Sequence, residues 1–299
     1  KGWRSLGQGC GFPEGVAERG PELEALLSQP NDRRLEAIWE ALRQGLGAEL
    51  VAQLTGFHAF FTSRIETLVV LEAELVEAGL APELLVRAKQ AGFGDAHIAH
   101  ACGLPEAKVR ETRCREGLRS SYLMVDTCAG EFAARTPYFY STCGDAGEKI
   151  ERGRSVVILG SGPIRIGQGI EFDYSTVHGV QAVHDAGYEA VVVNNNPETV
   201  STDFDASDRL YFEPLDTEAV SDILDTEQPW GVILQLGGQT AVNLANAVAE
   251  HIASSGMKTR ILGTAVESMA DAENRQKCGL LMEKIGVRMP EWAAATSAA

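Results

Sequence analysis

The first half of the chain carries apolar residues at the spacing of α-helices. From about Pro21 to Ala134 they recur three and four positions apart, which gives each predicted helix one apolar face. Asn31 and Asp95 are side chains suited to helix starts, and four glycines stand where helices are predicted to stop: Gly79, Gly92, Gly103 and Gly117. This half is predicted to be all-α.

The pattern changes after Lys149, where short β-branched runs alternate with amphipathic helical stretches. Strands are predicted at 155–160, 190–194, 209–212, 231–236 and 259–262, and helices near 173–186, 216–227, 239–252 and 273–285. Such alternation is typical of a parallel sheet with crossover helices. The second half is therefore predicted to be a doubly wound α/β domain. Its ligand edge is expected beyond the carboxyl ends of the strands, at the loops 160–169, 194–202 and 237–240.

Composition fits two globular domains in 299 residues, with 44% hydrophobic and 23% charged residues. The net charge of −16 argues against broad binding to nucleic acids or anionic membranes, which need a basic face. No apolar run is long enough for a signal peptide core or a membrane span. The six cysteines have neither C-x-x-C nor zinc-site spacing and are predicted to be reduced, which indicates a cytoplasmic location.

Two motifs suggest other classes of protein. Gly160-Ser161-Gly162 resembles the start of a dinucleotide fingerprint, but the third glycine is missing and Asn194 stands where an acidic ribose ligand is expected. The glycines at 160, 162, 167 and 169 still allow close backbone approach to a ligand, or else a tight strand-to-helix turn. The spacing of these glycines does not decide between a ligand-binding loop and a structural turn.

Residues 95–109 have the helix, glycine turn, helix spacing of a DNA-binding helix-turn-helix. The second helix is basic, but residues 1–146 carry more acidic than basic side chains, which opposes DNA binding. A helical hairpin packed in a bundle is the preferred interpretation, and a DNA-binding regulator with a ligand-sensing α/β domain is the alternative. His97 and His100 lie one turn apart, but no third metal ligand is spaced near them.

Several longer segments together resemble the large subunit of carbamoyl phosphate synthetase. They are 162–174 (GPIRIGQGIEFDY), 196–205 (NPETVSTDFD), 207–214 (SDRLYFEP) and 237–240 (GGQT), with 125–129 (VDTCA), 131–133 (EFA) and 137–142 (PYFYST) upstream. The resemblance implies three regions. Residues 1–20 are expected to be the tail of an ATP-grasp unit, 21–146 a helical oligomerisation domain, and 147–299 a Rossmann-like pre-ATP-grasp domain. A start without Met and an alanine-rich end also fit an internal segment.

The resemblance implies an activity for the intact protein. Members of this family are ATP-dependent ligases that make carbamoyl phosphate from bicarbonate, glutamine-derived ammonia and two ATP, for arginine and pyrimidine synthesis. It implies ATP, Mg²⁺ or Mn²⁺, and K⁺ for the intact enzyme, with none of them held by this segment, and a small glutaminase subunit as partner. The segment alone is expected to lack catalytic residues and ATP turnover, to self-associate through the helical domain, and to contact neither nucleic acid nor membrane.

The resemblance also implies site residues, at positions that match the family's carbamate tunnel. These are Gly169, Ile170 and Glu171 in the first loop and Glu198 in the second. Gly169 would leave the lumen open, whereas the two carboxylates would hold water or exchange a proton with carbamate. The alternative is structural, with Glu171 capping a helix and Glu198 closing a turn. Arg165 and Gln239 are further candidates for polar contact with a ligand at this edge.

Overall fold

The computed structural model describes residues 2–6, 15–144, 147–148, 150, 153–164 and 168–293. They form two compact units. The first comprises Lys1–Ser121 with Ser141–Gly147, and the second comprises Tyr122–Tyr140 with Glu148–Ala299. The sequence predicts a single division at residue 146, and it does not reveal that the chain passes three times between the units.

The first unit is built from eight helices among its described residues. They are α1 (Gly2–Ser5), α2 (Pro21–Ser28), α3 (Arg34–Arg43), α4 (Ala48–Thr55), α5 (Ala59–Ala78), α6 (Pro82–Gln90), α7 (Asp95–Cys102) and α8 (Glu106–Arg115). Leu23, Ile38, Leu75, Leu85 and Ile98 are fully buried in their shared core. The helical prediction is confirmed for this part of the chain.

The predicted glycine stops are confirmed. Gly79, Gly92, Gly103 and Gly117 each follow a helix with positive φ, a conformation that glycine adopts without a steric penalty. The prediction that Asp95 caps a helix is wrong. Asp95 is the first residue of α7, and its buried carboxylate binds Lys89 at 2.8 Å and Arg113 at 3.0 Å.

The helical prediction extends too far, because α8 ends at Arg115 and two strands follow. They are β1 (Ser120–Met124) and β2 (Tyr138–Cys143), which lie side by side at one end of the sheet. β2 pairs in parallel with β5, and the ring of Tyr122 packs edge-to-face on Tyr211 at 4.8 Å. These partners lie about 70 to 90 positions further along the chain, so periodicity within residues 115–143 does not reveal them.

The second unit is a parallel sheet with helices on both faces, as predicted. Its remaining strands are β3 (Ser155–Leu159), β4 (Glu189–Asn194), β5 (Arg209–Phe212), β6 (Gly231–Ile233) and β7 (Arg260–Leu262). The order across the seven-stranded sheet is β1-β2-β5-β4-β3-β6-β7, and all pairs from β2 to β7 are parallel. From the central strand β3 the chain adds β4 and β5 on one side. It then crosses the sheet and adds β6 and β7 on the other side of β3.

Helices cover both faces because the strand residues alternate between them. Val156, Ile158 and Val192 pack against α9 (Glu171–Asp185), whereas Val157 and Leu159 pack against the opposite set of helices. That set includes α10 (Thr217–Glu227), α11 (Gly238–Val242), α12 (Ala245–Ser255) and α13 (Val266–Glu273), and α14 (Arg275–Lys284) ends the described elements. The predicted helix 239–252 is thus two helices, and α13 lies where no helix is predicted.

No helix in the described ranges combines the length and apolarity that a bilayer span requires.

Candidate functional site

The carboxyl edge of the sheet has a topological switch point between β3 and β6, where the connections leave in opposite directions. Gly160 and Gly237 meet at this point. A side chain on Gly237 would place its Cβ 2.1 Å from the carbonyl oxygen of Gly160 and 2.5 Å from that of Leu159. Gly237 is thus explained by the close approach of two backbones, whereas a Cβ on Gly160 would lie 2.7 Å from Cγ of Asn194.

Asn194 ends β4 beside this point and organises the first turn of the loop after β3. It is fully buried, and its Oδ1 accepts hydrogen bonds from the backbone N–H groups of Gly162 at 3.0 Å and Asn195 at 2.9 Å. Its Nδ2 is buried without a partner among the described residues. Asn194 therefore serves the backbone of this loop as a hydrogen-bond acceptor.

The first candidate loop runs into α9 and exposes its predicted site residues. Ile170 is 76% exposed, and the carboxylate of Glu171 accepts a hydrogen bond from the backbone N–H of Gly169 at 3.2 Å. Glu171 opens α9, so this bond closes the turn that precedes the helix. Arg165, the other candidate in this loop, lies outside the described residues.

The second candidate loop forms a compact turn with Glu198 on its surface. The backbone N–H of Glu198 donates to Asn196 Oδ1 at 3.0 Å, and Thr199 Oγ1 donates to the carbonyl of Asn196 at 3.0 Å. A short 3₁₀ turn follows at Val200–Thr202. The side chain of Glu198 takes part in none of these bonds, so the turn does not depend on its carboxylate.

Asp173 ties the two loops together, and it is not among the site residues predicted from the sequence. It is buried in the first turn of α9, where its two carboxylate oxygens accept hydrogen bonds from the N–H groups of Val200 at 2.8 Å and Ser201 at 3.0 Å. Glu171 and Glu198 each lie two residues from one end of this bridge. The only signal in the sequence is an acidic residue near a helix start, which is common for reasons of helix capping.

Gln239 lies on the other side of the switch point, in α11. Its side chain is exposed and donates to Asn243 Oδ1 at 2.8 Å. It contributes to a cavity of about 350 Å³ between α11, α12 and α13, which is also lined by Asn246, Met269 and Asn274. Glu171 and Glu198 therefore lie on the two loops that Asp173 joins, whereas Gln239 lines a separate cavity.

The helix-turn-helix alternative is not favoured by the geometry of α7 and α8. Arg113 is 1% exposed and donates to the Asp95 carboxylate, so it is not available to a phosphate. Lys108 pairs with Glu111 at 2.8 Å and Arg115 with Glu116 at 3.3 Å. The basic residues of the second helix are thus engaged within the protein.

His97 is buried against the Glu72 carboxylate, with Nε2 2.7 Å from Oε1. Within the ranges that the structure describes, no group of three or more His, Cys, Asp or Glu side chains is arranged to hold a metal ion. Cys102, Cys114, Cys128, Cys143 and Cys278 are reduced, and Cys10 lies outside the described residues.

Comparison with known families separates the chain as the fold does. Residues 1–117 match the model described as the carbamoyl-phosphate synthetase large chain, oligomerisation domain, and residues 152–271 match the carbamoyl phosphate synthase preATP-grasp domain. The class of protein is therefore one that joins an oligomerisation domain to a preATP-grasp domain.

Individual curated relatives indicate the same family as the two domain models. The chain is 48% identical over 92% of its length to the carbamoyl phosphate synthase large chain of Methanothrix thermoacetophila. It is 45% identical over 93% of its length to the large chains of Methanosarcina mazei and Methanosarcina barkeri. The chain belongs to the carbamoyl phosphate synthase large-chain family, which confirms the resemblance drawn from its motifs. It spans 26% of the length of each of these relatives.

Proposed function

We propose that the intact protein is the large subunit of a glutamine-dependent carbamoyl phosphate synthetase, and that this segment joins subunits and lines a passage for carbamate. The assignment of the family supports the activity. In this proposal ATP, Mg²⁺ or Mn²⁺, and K⁺ act in parts of the intact protein outside this chain, and the small glutaminase subunit supplies ammonia. The 299-residue chain on its own turns over no ATP. Its location is cytoplasmic, and its product enters arginine and pyrimidine synthesis.

The bridge from Asp173 to the second loop is the observation that carries the passage. Both loops lie at the carboxyl edge, on the adjacent strands β3 and β4, and Asp173 fixes their separation through two backbone hydrogen bonds. Glu171 and Glu198 are exposed on the loops that it joins. Because carbamate is anionic and breaks down in water, an enclosed passage with fixed walls would protect it between two reactions.

The chemistry of the walls fits this use. Gly169 lies next to exposed Ile170 and has no side chain to obstruct a lumen. The carboxylates of Glu171 and Glu198 are able to hold water or accept a proton, but they repel an anion when both are charged. We therefore propose that carbamate travels in its protonated, neutral form, with the carboxylates exchanging the proton at the wall.

The test is Gly169→Phe in the intact large chain, with Gly169→Ala as the matched control. An alanine Cβ would meet only the exposed carboxylate of Glu171, which can move aside, whereas a phenyl ring would fill the passage. We expect Gly169→Phe to retain bicarbonate-dependent ATP hydrolysis and to lose at least tenfold in carbamoyl phosphate formed per ATP. An unchanged ratio of product to ATP in the Phe variant would contradict the passage.

A further inference from the structure

A second cavity lies at the amino edge of the sheet, opposite the candidate site. It has a volume of about 550 Å³ and is lined by Gly153, Arg154, Gln228, Pro229, Trp230, Gly256, Met257, Lys258 and Thr259. We call it the Trp230 pocket. β3, β4, β6 and β7 are parallel and all begin at this edge, so the pocket is separated from the carboxyl-edge loops by the length of the strands.

The walls of the Trp230 pocket are fixed by the sheet. The backbone N–H of Trp230 donates to the carbonyl of Ser155 at 2.8 Å, and its carbonyl accepts from the N–H of Arg260 at 3.1 Å. The indole packs on the ring of Tyr188 at 4.6 Å between centroids. Thr259 Oγ1 donates to the carbonyl of Pro229 at 2.7 Å. A ligand would therefore meet a surface that is already ordered.

Two cations lie over these rings, and a third lines the pocket. The Arg154 guanidinium lies 4.2 Å from the Tyr188 centroid and 5.5 Å from that of Trp230, and Arg260 lies 5.3 Å from Trp230 on the same cluster. Lys258 lines the pocket beside them. Within the part of the chain that the structure describes, none of the three forms an ion pair, and nearby Glu189 is bound to Arg209 at 2.9 Å.

Such a concentration of positive charge is unexpected in a chain of net charge −16. Stacking on an aromatic ring holds a guanidinium in place while its N–H edge stays available to an oxyanion. Stacking on the rings is a structural role that would explain Arg154 and Arg260. It does not explain why Lys258 lies beside them or why a cavity is present. Cations, apolar walls and volume together match a small anion that carries an aromatic ring.

We propose that the Trp230 pocket binds a nucleoside monophosphate. The phosphate contacts Arg154 and Lys258, and the base lies against the apolar surface of Trp230 and Met257. Arginine is suited to this role because its planar fork binds two phosphate oxygens at once. The inference does not rest on the proposed function, since the pocket is at the opposite edge of the sheet from the passage.

The experiment is calorimetric titration of the 299-residue chain with AMP, adenosine and inorganic phosphate. We expect saturable AMP binding at one site, with adenosine and phosphate each at least tenfold weaker because each lacks half of the contacts. Arg154→Ala and Lys258→Ala should each weaken AMP binding tenfold or more. Lys277→Ala, which removes an exposed lysine paired with Asp271 elsewhere in this unit, should leave it unchanged.

Circular dichroism of each variant checks folding, and Lys258→Ala is the more informative variant because the Lys258 side chain is exposed and stacks on no ring. The proposal is overturned if AMP shows no saturable binding up to several millimolar, or if adenosine or phosphate binds as tightly as AMP. It is also overturned if AMP binding survives both pocket substitutions, since the ligand would then lie elsewhere. Self-association that is lost in Arg154→Ala, without AMP binding, would assign the pocket to a protein contact instead.

Discussion

Glu72 is a carboxylate in the core of the helical unit with several hydrogen-bond partners. It accepts hydrogen bonds from Trp39 Nε1 at 3.0 Å and from Arg43 Nε at 2.7 Å, and it contacts His97 Nε2 at 2.7 Å. Burial raises the pKa of Glu72, but the hydrogen bonds from His97, Arg43 and Trp39 and the charge of Arg43 outweigh it and lower this pKa to about 2. The buried charge of Glu72 in α5 is therefore stabilised by partners from two other helices, α3 and α7.

Acid should weaken the helical unit through this residue. Because the folded pKa is below the unfolded value of 4.5, the stabilisation is complete above about pH 4.5 and is lost as pH falls towards 2. The pKa shift of Glu72 corresponds to about 3 kcal/mol in the free energy of unfolding, and about 2 kcal/mol of this is lost by pH 3. Urea unfolding at pH 6 and pH 3 measures this loss, and Glu72→Gln should reduce it. An equal loss in the Gln variant would show that other groups cause the acid sensitivity.

At the scale of elements, the backbones at the carboxyl ends of β3 and β6 approach each other closely. Gly237 follows β6 and lies against the carbonyls of Leu159 and Gly160, which are backbone atoms that cannot rotate away. These two strands are also paired through Val156–Ile158 and Gly231–Ile233. Any side chain at Gly237 must therefore move one strand end relative to the other.

Gly237→Ala should lower the free energy of unfolding by about 3 kcal/mol, the upper range for overpacking against rigid surroundings. Gly169→Ala is the control, because its Cβ meets only the flexible end of Glu171, and it should change stability by less than about 0.5 kcal/mol. Chemical denaturation of the 299-residue chain compares the two. Equal stability of both variants would mean that the β3 and β6 ends are not held as closely as the structure shows.

At the scale of the whole molecule, the helical unit exposes a group of aromatic rings. Phe57, Phe60 and Phe61 are 40%, 54% and 59% exposed, and the rings of Phe60 and Phe61 meet edge-to-face at 5.4 Å. Exposed aromatic clusters are enriched at protein interfaces because their burial removes much apolar surface from water. The match to an oligomerisation domain supports the same use.

The proposed self-association should therefore depend on these rings. In size-exclusion chromatography over a wide concentration range, the chain should elute as an oligomer that dissociates on dilution. Phe60→Ser with Phe61→Ser should raise the dissociation constant at least tenfold. Phe132→Ser removes a more exposed ring from the other unit, at 74% exposure, and should have little effect. A monomer at every concentration would contradict self-association through this unit.

The sequence by itself determined what local order and shared motifs encode. Helical periodicity and glycine stops predicted the helical region from α2 to α8, and β-branched runs predicted β3, β4, β5, β6 and β7. The motif segments indicated the family that the comparisons confirm. It also indicated which loops meet at the carboxyl edge, because parallel strands bring those loops together whatever their sequence.

Only the tertiary structure decided where distant residues meet. β1 and β2 are strands because β5 offers a partner to β2, Asp173 is a bridge because the second loop presents two N–H groups to it, and Asp95 binds cations instead of capping a helix. Arg154, Lys258 and Arg260 gather around Trp230 because three strands begin at one edge. In each case the physical cause is a contact between residues far apart in sequence, which local periodicity does not record.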